Sequence, residues 1–156
     1  MVLEFIRINI RMIKHHKLVI YTDGGARGNP GPAGCGAVIF DENCKSILAT
    51  HKKYLGEQTN NFAEYSAVVL ALEEAKKFGA EELQLFLDSE LVVKQLNGEY
   101  KIKNQDLGKL FIKIHNLKQN FKKVSFSHVR REQNKLADKL ANQAIDKEPR
   151  NESRKQ

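Results

Sequence analysis

Asp23, Glu64, Asp88 and Asp138 stand where carboxylates are hard to keep. Asp23 ends the apolar run Leu18-Val19-Ile20-Tyr21-Thr22, and Asp88 ends Leu83-Gln84-Leu85-Phe86-Leu87. Glu64 and Asp138 fall among the apolar residues of two expected helices. An ionised carboxylate beside a hydrophobic core loses hydration or takes up a proton, so a group of four calls for compensating cations. Hard oxygen ligands favour Mg²⁺ or Mn²⁺ over zinc. Paired ions held in this way activate water on one side and stabilise a leaving oxygen on the other. Taken singly, each acid reads as a helix cap or a surface group; four at strand ends and helix starts weaken that reading.

Bringing these acids together falls to a single domain, since 156 residues and 17.8 kDa suffice for a core without disulfides. With 41% hydrophobic and 29% charged residues the composition is that of a soluble globule. No run of 18 apolar residues exists to span a membrane, and Arg7, Asn9 and Arg11 interrupt any signal-peptide core, so a cytoplasmic protein is expected, taken as a monomer by default. Cys35 and Cys44 form no CxxC pair and are expected to pack or lie in a turn.

The net charge of +7 is unevenly placed: residues 18–100 carry 7 basic and 12 acidic side chains, whereas residues 101–131 carry 9 basic residues against the single Asp106. Such a run is often only a solvated face. Beside an acidic cluster, however, a basic lobe suits an anionic polymer, the lobe holding phosphates and the acids holding metal.

Along the chain, a strand is expected near Leu18 to Gly25, then the turn Gly28-Asn29-Pro30-Gly31-Pro32, then strands near Cys35 to Phe40 and Ser46 to Tyr54. Thr59 caps a helix carrying Tyr65, Val68, Val69, Leu72 and Ala75 and ended by Gly79. The almost continuously apolar Leu83 to Leu87 reads as a buried parallel strand. Helices through Leu91 to Leu96 and Leu107 to Leu117, a strand over Val124 to Val129 and a helix over Leu136 to Ile145 complete the order βββαβααβα. The expected class is α/β, a mixed five-stranded sheet with helices packed on it. Residues 1–17 form an N-terminal extension, with strand-like alternation from Ile6 to Met12; residues 18–146 form the domain; residues 147–156 form a disordered basic tail.

The segments Tyr21-Thr22-Asp23-Gly24-Gly25, Gly28-Asn29-Pro30-Gly31-Pro32-Ala33-Gly34, Thr59-Asn60-Asn61-Phe62-Ala63-Glu64, Asp88-Ser89 and Asn134-Lys135-Leu136-Ala137-Asp138 together closely resemble type 1 ribonuclease H, in order, over about residues 18–146. The resemblance implies a ribonuclease H-like fold and an Mg²⁺-dependent endonuclease that cuts the RNA strand of RNA–DNA hybrids. It leaves 5′-phosphate and 3′-hydroxyl ends. Asp23, Glu64, Asp88 and Asp138 are carried over as the catalytic set that holds two metal ions. Asn29, Asn60 and Asn61 would contact the RNA strand near its 2′-hydroxyls, and Thr59 and Asn104 would fall at a pocket for a DNA phosphate. Asn29, Asn60 and Asn61 suit turns and helix caps equally well, and Thr59 is also the expected cap of its helix.

Two departures from the family are visible. Only 15 residues separate Asp88 from Asn104, too few for the basic helical insertion of some relatives, so the lysines between 101 and 123 are expected to replace it. The loop that carries an auxiliary histidine is short: counting ten residues back from Asp138 reaches His128, while strand alternation puts Arg130 in that place. Arg130 is the expected auxiliary group and His128 the second candidate; an arginine there orients phosphate but does not act as a base. Two other readings stand beside this one: a non-catalytic nucleic-acid-binding module on the same fold, and a related two-metal nuclease acting on DNA.

Overall fold

Apolar runs separated by tight turns build β1 (Lys17–Ala26), β2 (Gly31–Phe40) and β3 (Ile47–Gln58) into an antiparallel meander in this computed structural model, which describes residues 15–147. Helix α1 (Asn60–Ala75) carries the chain back so that β4 (Glu82–Leu87) pairs with β1 in parallel. Helices α2 (Glu90–Leu96) and α3 (Gln105–Lys118) precede β5 (Lys123–His128), parallel to β4, and α4 (Lys135–Asp146) follows. The sheet order is β3-β2-β1-β4-β5, so the expected βββαβααβα arrangement is the one found. Of the expected extension over 1–17, residues 1–14 lie outside the described residues and Lys17 already belongs to β1; the tail from 148 onward also lies outside them. No described helix is long and apolar enough to cross a membrane.

Local chemistry sets the ends of these elements. Thr59 Oγ1 accepts from the Phe62 amide at 3.1 Å and starts α1. The α-helix stops at Ala75, earlier than expected; a 3₁₀ turn over Lys76–Phe78 follows, and Gly79, at φ 65°, closes it. β2 begins four residues earlier than expected, at Gly31, because Gly31 to Gly34 pair with both neighbours or with β3. Cys35 is buried and Cys44 lies exposed in the turn after β2, as their spacing suggested.

One face of the sheet, through Leu18, Ile20, Ala37, Ile39, Leu83, Leu85 and Leu87, packs on α1 to α3 through Tyr65, Val68, Leu72, Val92, Leu107 and Ile114. The other face receives α4. Glycines set how close the helices come. A Cβ at Gly24 would stand 2.1 Å from Ala63 O, and one at Gly36 would stand 2.7 Å from Leu140 Cβ and 2.8 Å from Ala137 O. At Gly34 it would meet Ala141 O at 2.5 Å. Helix backbones therefore rest almost directly on strand backbones. Two glycine substitutions should accordingly act in opposite senses. Gly24→Ala drives a methyl group into the α1 backbone and should lower unfolding free energy by at least about 3 kcal/mol. Gly108→Ala, in α3 with open space at its Cβ, should raise it by about 0.5–1 kcal/mol. Urea denaturation of both variants checks the pair; a well-tolerated Gly24→Ala would show that α1 does not need this approach.

Candidate active site

β1 and β4 run side by side with Thr22 opposite Leu87, so the next residues, Asp23 and Asp88, emerge together at the carboxyl ends of two parallel strands. Glu64 follows Ala63, whose carbonyl presses on Gly24, and so the packing that closes α1 onto β1 also delivers a third carboxylate. Oxygens of Asp23, Glu64 and Asp88 lie within 4.8 Å of one another. Asp23 pairs in register with Gly36, the glycine on which Ala137 and Leu140 rest, so α4 brings Asp138 to the same point. All four acids line one open cleft of about 430 Å³, with Asn60, Asn61, Ser89, Arg27, Arg131 and Asn142 among the other walls.

The charges in this cleft conflict. Asp23 is 7% exposed and Glu64 9%. Burial first, then the neighbouring Asp88 and Asp138, pushes the Asp23 carboxyl from 3.8 up to about 8. Burial, reinforced by Asp23 and Asp88, also holds Glu64 well above the usual carboxylate range, with Arg131 pulling the other way. Asp138 lies close enough to Asp23 to add to that upward push, a juxtaposition of carboxylates that a bound cation would relieve. Glu64 Oε2 is buried with no hydrogen-bond partner. An all-oxygen donor set with an orphaned, buried carboxylate oxygen fits a hard divalent cation, which would take the place of the protons these groups otherwise hold.

Asn134 fixes the geometry. It is 1% exposed, and its Nδ2 donates to Thr22 O at 2.8 Å and to Asp88 Oδ2 at 3.1 Å, tying β1, the end of β4 and the start of α4 together. Its role is not visible in the sequence, because its partners lie 46 and 112 residues away.

The other expected site residues are distributed as follows. Asn60 and Asn61 line the cleft. Asn29 Oδ1 accepts from the Asn60 amide at 3.1 Å, and Asn60 Oδ1 accepts from the Ala26 amide at 2.8 Å. Both asparagines thus brace the β1–β2 turn against α1 with their oxygens and keep their amide nitrogens for another partner. Thr59 and Asn104 cap α1 and α3, Asn104 Oδ1 accepting from Leu107 N at 3.1 Å. Arg130 is exposed and is not part of the cleft wall; Arg131 is. The reason is local: β5 ends at His128, and a 3₁₀ turn over Arg131–Gln133 breaks the two-residue alternation on which the choice of Arg130 rested. His128 Nε2 stands 3.2 Å from Asp88 O, beside the cleft.

This sheet order, with carboxylates at the ends of β1 and β4 and at the starts of two helices, defines a ribonuclease H-like fold with an acidic, metal-ready cleft. The chain matches the family model described as Reverse transcriptase-like over residues 21–144. It is 42% identical over 126 residues to Ribonuclease HI of Halobacterium salinarum, covering 81% of this chain and 63% of that protein. To Ribonuclease H of Dechloromonas aromatica it is 31% identical over 157 residues, covering 86% and 97%. It is 45% identical over 130 residues to the bifunctional protein Rv2228c of Mycobacterium tuberculosis, covering 83% of this chain but only 36% of that protein. Among solved structures, RNase H1 of Halobacterium salinarum superposes with a TM-score of 0.81 at 40% identity, covering 85% and 99% of the two chains. LC11-RNase H1, solved in complex with RNA/DNA hybrid, superposes at 0.79 and 47% identity, covering 83% and 97%. The chain belongs to the type 1 ribonuclease H family.

The raised carboxyl groups have a thermodynamic signature. Between about 3.8 and about 8 the folded, metal-free chain binds more protons at Asp23 than the unfolded chain does. The contribution of Asp23 to stability is therefore fully present below that window and is lost as pH rises through it. Denaturation in chelator at about pH 5 and about pH 8 should show the loss, and a saturating divalent cation should diminish it. Equal stability at both pH values in chelator would mean that Asp23 ionises freely.

Proposed function

We propose that this chain is a divalent-metal-dependent endonuclease that hydrolyses the RNA strand of RNA–DNA hybrids and leaves 5′-phosphate and 3′-hydroxyl ends. The observation that carries the reading is the convergence of Asp23, Glu64 and Asp88 within 4.8 Å, with Asp138 in the same cleft and Glu64 Oε2 unpartnered. Two Mg²⁺ ions, or Mn²⁺ in their place, held by these four residues would make water nucleophilic at neutral pH and neutralise the charge that develops on the phosphate. Asp23, close to both Asp88 and Asp138, would serve both ions, with Glu64 and Asp88 on the attacking side and Asp138 on the leaving side. Asn134 keeps Asp88 aimed into the cleft.

Substrate-facing residues follow from the same cleft. Asn60 and Asn61, with Asn29 behind them, offer amide donors to the RNA strand, the side on which 2′-hydroxyls separate RNA from DNA. Thr59 and Asn104, at helix N-termini, offer a DNA phosphate the amides that helix starts present. Arg131 takes the phosphate-orienting role expected of Arg130, because it faces the acids, and Arg130 serves as an outer contact. The two free cysteines among the described residues support a cytoplasmic location, where disulfides are rare.

The lysines after α2 do not contribute alike. Lys113 pairs with Glu73 at 3.3 Å, Lys122 with Glu81 at 3.4 Å, and Lys118 lies over the Phe126 ring at 5.6 Å. Lys101, Lys103 and Lys109 are exposed around Asn104. Converting these three to Gln should reduce the slope of log affinity against log salt by about 2–3, and the same change at Lys113 and Lys122 should do less. Equal effects would return the whole run to a solvated face.

Asp23→Asn should fold, since the amide has the shape of the protonated carboxyl group it replaces, yet lose at least about a thousandfold in cleavage rate. The assay offers labelled hybrid, double-stranded RNA and double-stranded DNA with Mg²⁺, Mn²⁺ or chelator. Cutting confined to RNA paired with DNA supports the reading. Cutting of DNA duplex favours the DNA-nuclease alternative, and binding with no metal-dependent cutting favours the non-catalytic module.

A further inference from the structure

Two arginines line the acidic cleft, and they stand in different surroundings. Arg131 lies close enough to Glu64 to oppose its protonation. Arg27 belongs to the β1–β2 connection, and its guanidinium reaches the carboxyl half of α4. Its Nη1 stands 2.6 Å from Asp146 Oδ1, and its Nη2 donates to Asn142 Oδ1 at 3.4 Å and to Asn142 O at 3.5 Å. The backbone beneath it is fixed on both sides. Arg27 N donates to Pro32 O at 2.8 Å, Ala26 N donates to Asn60 Oδ1 at 2.8 Å, and Gly31 packs so closely that a Cβ there would stand 2.0 Å from Arg27 O.

Stability does not account for this arrangement. The Arg27 and Asp146 side chains are 47% and 58% exposed, and exposed pairs of that kind contribute little to stability. What the arrangement does achieve is to hold a planar cation, at a set angle, in the wall of a cleft that otherwise repels polyanions. Arginine carries five N–H donors in a rigid fork, more than Asp146 and Asn142 occupy, and that fork matches two oxygens of one phosphate.

We propose that Arg27 is a substrate-binding residue that grips a backbone phosphate of the strand being cut, at the end of the cleft formed by α4. The proposal rests on the hybrid-nuclease reading and extends it. A nucleic-acid strand whose scissile phosphate sits among the four carboxylates continues along the cleft wall, and Arg27 is the cation fixed there. Asp146 orients the guanidinium and also competes with the phosphate for it.

That competition gives the test, because Arg27→Ala and Asp146→Asn break the same ion pair but should act oppositely on substrate. In steady-state cleavage of a labelled RNA–DNA hybrid, Arg27→Ala should raise KM about tenfold with kcat within about twofold of the parent. The slope of log kcat/KM against log salt should become shallower by about one. Arg27→Lys, which keeps the charge without the fork, should fall between. Asp146→Asn should leave KM unchanged or lower it. Thermal denaturation of each variant reports the shared loss of the pair; if Arg27→Ala does not fold, Arg27→Gln, which keeps most of the apolar stem without the charge, takes its place with the same expected KM. An equal rise in KM for Asp146→Asn would show that the guanidinium merely ties the turn to α4 and would overturn the proposal, as would an unchanged KM and salt slope in Arg27→Ala. Failure of the parent protein to cut the hybrid would instead overturn the nuclease reading itself.

Discussion

Carboxylates that would repel one another are forced together here by backbone contact. Gly24 against Ala63, and Gly36 against Ala137 and Leu140, leave no room for a side chain, so α1 and α4 settle directly onto the ends of β1 and β2. Glu64 and Asp138 arrive at Asp23 as a consequence of that packing, and the parallel pairing of β1 with β4 adds Asp88. The hydrophobic core that stabilises the domain thereby supplies the free energy that holds a repulsive cluster in place. The raised pKa of Asp23 and Glu64 and the unpartnered oxygen of Glu64 express the same strain.

The surroundings of the cluster show how it is kept open to a cation rather than filled by protein donors. Asn134 gives both Nδ2 hydrogens away, one to the β1 backbone and one to Asp88, and so orders the site without neutralising it. Arg131 opposes the protonation of Glu64 only in part. Further positive charge lies on the exposed lysines around Asn104 and at Arg27 in the cleft wall. On the proposed function, a polyanion would meet these cations while the carboxylates held metal.

Much of this was legible in the chain itself. The order of elements followed from apolar runs and turn residues, because strands such as Leu83 to Leu87 and caps such as Thr59 are local features. The four acids stood out for the same local reason. What one sequence does not display is which backbones touch: the role of Gly24 lies in Ala63, 39 positions on, and the roles of Asn134 lie farther away still. Arg131 escaped notice because a two-residue alternation was extended past His128, where β5 stops and a 3₁₀ turn changes the direction of successive side chains. Arg27 escaped because its partners, Asn142 and Asp146, belong to the last helix.

Anomalous diffraction from crystals grown in Mn²⁺ tests the central claim most directly. The account predicts two peaks about 3.5–4 Å apart in the cleft, both in contact with Asp23, one also reached by Glu64 and Asp88 and the other by Asp138. A cleft without manganese at saturating concentration, with the carboxyl groups still paired to one another, would contradict it.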